Sequence, residues 1–251
     1  MRIIALVFSF LGIFAITFPT FPQYSIPPAP AVTRDPAALL LAVCDSAYGK
    51  DIRLVNGQVY SPPRIRASGH PYFLGQEWMD GSVRVSGKEF TGLQLQYDIY
   101  GDRLIYLDRS PDGSIRRLLL NKEQVDWFTV GRHSFILVTG TMVDDHPGPQ
   151  YYESLFCGQT FLLKKWEKLF ETGSAEAYPY GTFTESRESL YILKDRQLVR
   201  VINRSSVLQA FGDHKAELKR YMKENNFSWF RLTDQEFTEI VRHYDSLEQD
   251  H

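Results

Sequence analysis

The sequence predicts an α+β protein that is mainly antiparallel β: a meander sheet curved into a sandwich or partial barrel, with an N-terminal helix and a C-terminal helical pair. Three observations carry that prediction. Leu93-Gln94-Leu95-Gln96-Tyr97-Asp98-Ile99 alternates apolar and polar residues without a break, which gives a strand one apolar and one polar face. Turn-forming residues recur at short intervals from Gly81 to Gly140, the spacing of an antiparallel series. Thr233-Asp234-Gln235-Glu236 is a capping box, and Phe237, Ile240, Val241, Tyr244 and Leu247 then fall on one side of a helix.

Taken in order, Met1-Arg2, the apolar run over residues 3–18 and the break at Pro19, Pro22, Gln23 and Tyr24 have the layout of a secretory signal peptide, assigned to residues 1–24. The run is shorter than the ~20 residues that cross a bilayer comfortably, so no stable membrane span is expected after signal cleavage. No small-x-small triplet marks the cleavage site, for which Thr17, Thr20 and Ser25 are the candidates. Pro27, Pro28 and Pro30 fix φ and remove donors, which makes residues 25–34 an extended tether. Residues 35–251 are assigned to a single β-rich domain ending in a helical segment over about 205–248.

Asp35-Pro36 opens a helix running to Ala47, with Leu39, Leu40, Val43 and Ala47 on one face and Gly49 as its stop. Residues 52–60 read as two short strands around Asn56-Gly57, a dipeptide that favours the tight hairpin turn. Ser61-Pro62-Pro63 interrupts pairing, and Gly69-His70-Pro71-Tyr72-Phe73 returns to extended chain. Ser86-Gly87-Lys88 then joins strands 83–85 and 90–99, and Gly101-Asp102 joins the latter to 103–107. Pro111-Asp112-Gly113 leads into strands 115–120, 125–130 and 133–138. Short loops force neighbouring strands to be antiparallel, which excludes a doubly wound α/β design. Strands 151–157 and 160–166 resume after the loop 143–149, and residues 171–182 form a loose connector. A hairpin follows, 190–192 with 198–202 across Lys194-Asp195-Arg196. Asp213 caps a helix to about Asn225, whose stripe of Leu218, Tyr221 and Met222 suits the last helix as partner.

A hydrophobic fraction of 43% and a charged fraction of 23% belong to a chain with a packed core and a soluble surface, not to a disordered one. The 28 basic residues against 30 acidic lack the excess that a dedicated nucleic-acid binder carries. Aromatics at 14% match the β-propensity of Phe and Tyr, with a ligand-stacking surface as the sharper alternative. Cys44 and Cys157 permit one bridge in an oxidising compartment, or two separate buried thiols.

No catalytic, cofactor-binding or metal-ligating set emerges. The six histidines include no HExxH pair, and the cysteines lack metal-ligand spacing. Asp144-Asp145-His146 is the one tight cluster of ligand types, and the Pro-Gly-Pro after it reads as a solvated loop. His70 before Pro71 reads as a turn residue. Gly81 to Lys88 echoes a phosphate loop but has one residue too many, sits between strands, and has Glu89 where Ser or Thr would hold magnesium. No Gly-x-Ser-x-Gly elbow and no Ser-x-x-Lys occurs. Cys157 beside Phe156 reads as buried and inert rather than as a nucleophile. Asp98 with Asp102 and Asp108, and Glu185 with Glu188, read as solvated acids, because paired carboxylates work only at defined separations in a cleft. Lys164, Lys165 and Lys168 around Trp166 suggest an acidic glycan or nucleic acid, or more simply a strand edge where lysines block stray pairing. Asn203-Arg204-Ser205 and Asn226-Phe227-Ser228 fit the glycosylation triplet.

The strings Gly69-His70-Pro71-Tyr72-Phe73-Leu74, Gly81-Ser82-Val83, Gly87-Lys88-Glu89-Phe90, Tyr97-Asp98-Ile99-Tyr100 and Asp102-Arg103-Leu104 resemble a family of uncharacterised exported β-rich proteins of Gram-negative bacteria. The ending from Lys215 to Lys223 and Tyr244-Asp245-Ser246-Leu247 is similar to that family as well. The resemblance implies export and a periplasmic or cell-envelope setting, and it brings no functional residue with it.

Together these readings point to an exported envelope protein that binds or scaffolds, with an envelope protein or a glycan as partner and no cofactor. The alternatives are a hydrolase of envelope glycans or peptides working through carboxylates, and an apolar-ligand carrier. An open cavity lined by Phe and Leu marks the carrier. A cleft with two perturbed carboxylates marks the enzyme. A filled interior with one exposed apolar patch marks the binding module.

Overall fold

The structure, a computed structural model, describes residues 51–55, 57–62, 66–110, 113–139, 148–172, 179–228 and 232–249. The signal peptide, the tether, the helix expected over 35–47, Cys44 and Asp144-Asp145-His146 lie outside the described residues.

The strands are β1 (Gln58–Val59), β2 (Met79–Val85), β3 (Lys88–Asp98), β4 (Arg103–Arg109), β5 (Ile115–Leu119), β6 (Val125–Val130), β7 (His133–Val138), β8 (Gln150–Cys157), β9 (Phe161–Glu167), β10 (Phe170–Glu171), β11 (Thr182–Phe183), β12 (Arg187–Lys194) and β13 (Gln197–Val201). Eleven of them make one antiparallel sheet in the order β1-β5-β4-β3-β2-β6-β7-β8-β9-β12-β13, and β10 pairs with β11 alone. The hairpin turns are set by residues that accept positive φ. Ser86 and Gly87, at 49° and 77°, turn β2 into β3 with the twist that paired strands require. Asp195 and Arg196, at 50° and 64°, do the same between β12 and β13. The meander order is broken at three places, where β1 pairs with β5, β2 with β6 and β9 with β12. After β5 the chain crosses through a short 3-10 turn, Lys122–Gln124, and β6 pairs with β2 instead of with β5. Ser86 N–H donates to Gln124 O at 2.8 Å and holds that crossing against the β2–β3 turn.

The sheet is open, with β1 and β13 at its edges, and it is strongly bent. Tyr97 on β3 and Tyr151 on β8 are four strands apart in the sheet, yet their ring centroids are 5.9 Å apart. In a flat sheet that separation would be about 19 Å, from the ~4.8 Å between neighbouring strands. Bulges in β2 and β8, where the register shifts between Gly81 and Val83 and between Ser154 and Phe156, relieve the pleat as the sheet turns. The inner face is filled by rings. Phe73 stands edge-on to Phe135 at 5.3 Å, to Trp166 at 5.0 Å and to His133 at 5.0 Å. Phe128 stacks on Phe135 at 4.8 Å. Each such pair adds about 0.5–1.5 kcal/mol to the burial of its area.

Three helices follow the sheet: α1 (Arg204–Ala210), α2 (Lys215–Glu224) and α3 (Asp234–Gln249). Leu162 of β9 and Ile192 of β12 pack with Phe211, Leu218, Ile240 and Tyr244, while the next side chains, Leu163 and Tyr191, belong to a separate apolar cluster. Period-two alternation therefore assigns the helices to one face of these strands. The capping box at the start of α3 forms in both directions: Thr233 N–H donates to Glu236 Oε2 at 2.8 Å, and Glu236 N–H donates to Thr233 Oγ1 at 3.2 Å.

Two expectations are corrected. The hairpin around Asn56-Gly57 does not form, because Ile52–Val55 is a single helical turn and β1 pairs with β5. Leu54 is buried in the main core, and a helical turn that points it inward outweighs the preference of the dipeptide. The polar face of β3 is not wet either: Gln96 is 5% exposed and Asp98 0%. An earlier stretch of chain, residues 66–78, covers it.

Candidate functional site

The covering layer is residues 66–78. Ile99 N–H donates to Pro71 O at 3.0 Å and Phe73 N–H to Tyr97 O at 2.8 Å, which ties the segment to the end of β3. Ser68 N–H donates to Gly181 O at 3.0 Å, and Phe183 N–H donates back to Ser68 O at 3.0 Å, so the β10–β11 ribbon is tied to the same segment. Gly69 allows this approach: its φ is +75°, and a Cβ there would stand 3.3 Å from the Phe183 carbonyl oxygen. Within the segment the side chains part company. Phe73 points into the inner core, whereas Tyr72 joins Tyr60, Trp78, Leu119 and the fully buried Ile105 in a cluster on the outer face.

A groove of about 360 Å³ lies there, at the small end of the roughly 300–1,000 Å³ usual for ligand sites. Its aromatic lining is His70, Tyr72, Trp78 and Phe183. Its polar lining is Gln76, Gln96 and Arg117. Gln96 Nε2 donates to Gln76 O at 2.7 Å, which fixes that carboxamide. Arg117 comes from the exposed end of β5, and its guanidinium carbon is 6.0 Å from the centre of the Trp78 ring. It forms no ion pair among the described residues. His70 Nδ1 accepts from Tyr72 N–H at 3.2 Å, and Lys168 Nζ donates to His70 O at 3.0 Å. Burial, then the Lys168 charge, push the His70 pKa down, so the ring is neutral and carries its proton on Nε2. The turn residue of the sequence is thus also a wall of the groove.

The three aspartates expected to be solvated are each placed in the structure. Asp98 accepts from Tyr60 OH at 3.0 Å, Tyr100 N–H at 3.1 Å and Gly101 N–H at 2.8 Å. Its burial raises the carboxyl pKa against the pull of those donors. Asp108, 0% exposed, receives Nε and Nη2 of Arg116 at 3.0 and 2.6 Å. Asp102 in the β3–β4 turn has the most partners: Tyr97 OH at 2.5 Å, Lys165 Nζ at 3.1 Å, Tyr151 N–H at 3.2 Å and Lys122 Nζ. Burial alone would raise its carboxyl, but the two ammonium groups outweigh that and hold it below its ordinary value. None of the three lines the groove. Glu185 and Glu188 are exposed, as expected.

The lysines are a further correction. Lys164, Lys165 and Lys168 are 5, 4 and 8% exposed, and β9 is paired on both sides, by β8 and β12. They are therefore not guards of an edge. Lys164 holds Glu188 at 2.7 Å and Asp234, at the start of α3, at 2.5 Å. Lys165 serves Asp102 and Tyr151 O, the latter at 3.1 Å. Lys168 serves His70. Each ammonium sits where the bend of the sheet and the helices bring oxygen to it.

Sequence reasoning missed one constellation. His133 Nδ1 is 2.6 Å from Glu153 Oε1, and Trp166 Nε1–H donates to Glu153 Oε2 at 2.6 Å. A histidine oriented by a carboxylate is half of a nucleophile-activating pair. Among the described residues no hydroxyl or thiol hydrogen-bonds to His133, so the other half is not assembled. The β7–β8 register, in which Phe135 faces Glu153, was the signal that could have found the pair. Cys157 lies 2.7 Å from Ser154 Oγ, and burial raises its thiol pKa, which suits an unreactive side chain. Among the described residues no three His, Cys, Asp or Glu side chains gather as a metal site, and no helix is long and apolar enough to cross a membrane.

Compared with known proteins, the chain matches no family model, no curated protein and no solved structure.

Proposed function

We propose that the protein is a non-enzymatic binding module exported to the bacterial cell envelope, and that the groove between residues 66–78 and the outer face of β3–β5 is its contact surface. Export rests on Met1-Arg2, the apolar run over 3–18 and the polar break after it. The body is taken as a partial barrel, with the Tyr97–Tyr151 contact across the bend in its support. The observation that carries the reading is Arg117: a cation with no carboxylate partner among the described residues, beside an indole face in a groove lined by aromatic and carboxamide side chains. Trp, Tyr and Arg are the side chains that dominate binding surfaces.

The carrier alternative needs an open interior, and the inner face is occupied by Phe73, Tyr97, Phe128, Phe135, Tyr151 and Trp166. The hydrolase alternative needs carboxylates in a cleft. Asp98 and Asp102 are taken up by donors within the fold, and neither lines the groove.

The test is site-specific crosslinking in native envelope fractions. A photoreactive residue at Gln76 is expected to capture a partner from the wild-type background and to lose it when Trp78→Ala is added. A background that captures nothing in either case overturns the binding-module reading.

A further inference from the structure

We infer that the groove takes an acidic oligosaccharide, with a sugar ring laid against Trp78 and a carboxylate held by Arg117. This deepens the binding-module reading and rests on it. A pyranose presents a C–H face ringed by hydroxyls. A site for it needs flat apolar surfaces with hydrogen-bonding groups at their margins. Trp78, half-buried, supplies such a surface, backed by Tyr72 and Phe183 at 7 and 8% exposed, and Gln76 and Gln96 supply carboxamides that both donate and accept. The bond from Gln96 to Gln76 O pre-sets one of those carboxamides, which lowers the ordering cost of binding.

Charge narrows the class. Among the described residues Arg117 is the one charged side chain in the groove lining, since His70 is neutral and no carboxylate is there. An uncharged ligand would leave the guanidinium to water, whereas a carboxylate matches its planar fork with two parallel hydrogen bonds. A single cation among the described residues of the lining does not call for a polyanion bound through its phosphates. An extended peptide is disfavoured for a different reason. Such a ligand binds by adding main-chain hydrogen bonds to a free strand edge. Here the walls have spent theirs: Ser68 on Gly181 and Phe183, Pro71 on Ile99, Phe73 on Tyr97.

The experiment uses the purified full-length chain and three probes: an oligomer of galacturonic acid, the same oligomer with its carboxylates reduced to alcohols, and an acidic peptide of equal charge. Binding is read by calorimetry and by tryptophan fluorescence. The acidic oligomer is expected to bind, with Arg117→Gln about tenfold weaker and no longer distinguishing it from the reduced oligomer. Trp78→Ala is expected to abolish binding and Trp78→Phe to restore most of it, with matched thermal melts showing that both variants fold. Equal affinity for the acidic and reduced oligomers in wild type overturns the assignment of Arg117. Peptide binding with the same dependence on Trp78 and Arg117 overturns the ligand class, as does failure of all three probes. In either case partner capture by the Gln76 crosslink decides separately whether the groove binds at all.

Discussion

Two charged sites of this molecule invite comparison, the turn at Asp102 and the groove at Arg117. The Asp102 carboxylate is answered from within the fold: two ammonium groups, a phenol and a backbone N–H converge on it. At Arg117 the guanidinium has an indole face beside it and no counter-charge among the described residues. The first arrangement holds a bent sheet together, since it ties the β3–β4 turn to β8, β9 and the crossing before β6. The second contributes little to folding and leaves its hydrogen-bonding capacity for something outside the chain. A buried charge whose partners are all internal is architecture, and a surface charge whose partners are missing is an opening for a ligand.

That contrast breaks first at Asp102. Asp102→Ala strands Lys165, which is almost wholly buried, and is expected to cost about 3–5 kcal/mol in urea unfolding. A loss below ~1 kcal/mol would mean that the network is ornamental. Phe73→Ala should cost about 3 kcal/mol, because it empties the space among Phe135, Trp166 and His133. Its neighbour in the groove, Trp78, is half-buried, so comparing melts of Phe73→Ala and Trp78→Ala sharpens the division between inner and outer faces of one segment.

Acid titration separates two aspartates only a turn apart. Asp102 has its folded-state pKa depressed below 3.8, so its contribution is present above 3.8 and is lost as pH falls through the folded value. Asp98 runs the other way. Its folded-state pKa is raised above 3.8, so its contribution is complete below 3.8 and fades as pH rises through the raised value. Urea unfolding across the acid range should therefore show Asp102→Asn changing the slope below 3.8 and Asp98→Asn changing it above. Changes on the same side of that point would remove the distinction. Smallest of all is the expected effect of Arg117→Gln on stability, within about 0.5 kcal/mol by thermal melt, because the contact with the Trp78 ring is long, at 6.0 Å, and no ion pair among the described residues is lost. A larger drop would move Arg117 from the ligand's side of the comparison to the fold's.

The strands were legible because their signals are local. Alternation at 93–99, paired positive-φ residues at Ser86-Gly87 and the reciprocal bonds of Thr233 and Glu236 each involve residues a few positions apart. The groove was not legible. Arg117, Phe183 and the pair Tyr72 and Trp78 come from three separate stretches, and nothing in any one of them announces the others. Asp98, Asp102 and Asp108 look alike in sequence, as do Lys164, Lys165 and Lys168, yet each ends with different partners. The hairpin expected at Asn56-Gly57 failed for the same reason in reverse: a local preference met a core that wanted Leu54.

The sequence by itself determined which segments are strands, where they turn and how the last helix starts, because backbone sterics, side-chain period and capping act over a handful of residues. Only the tertiary structure decided which polar face stays wet and which charge finds a partner. Those outcomes depend on what is laid over a strand by chain that is distant in sequence, and on a bend that brings β3 against β8.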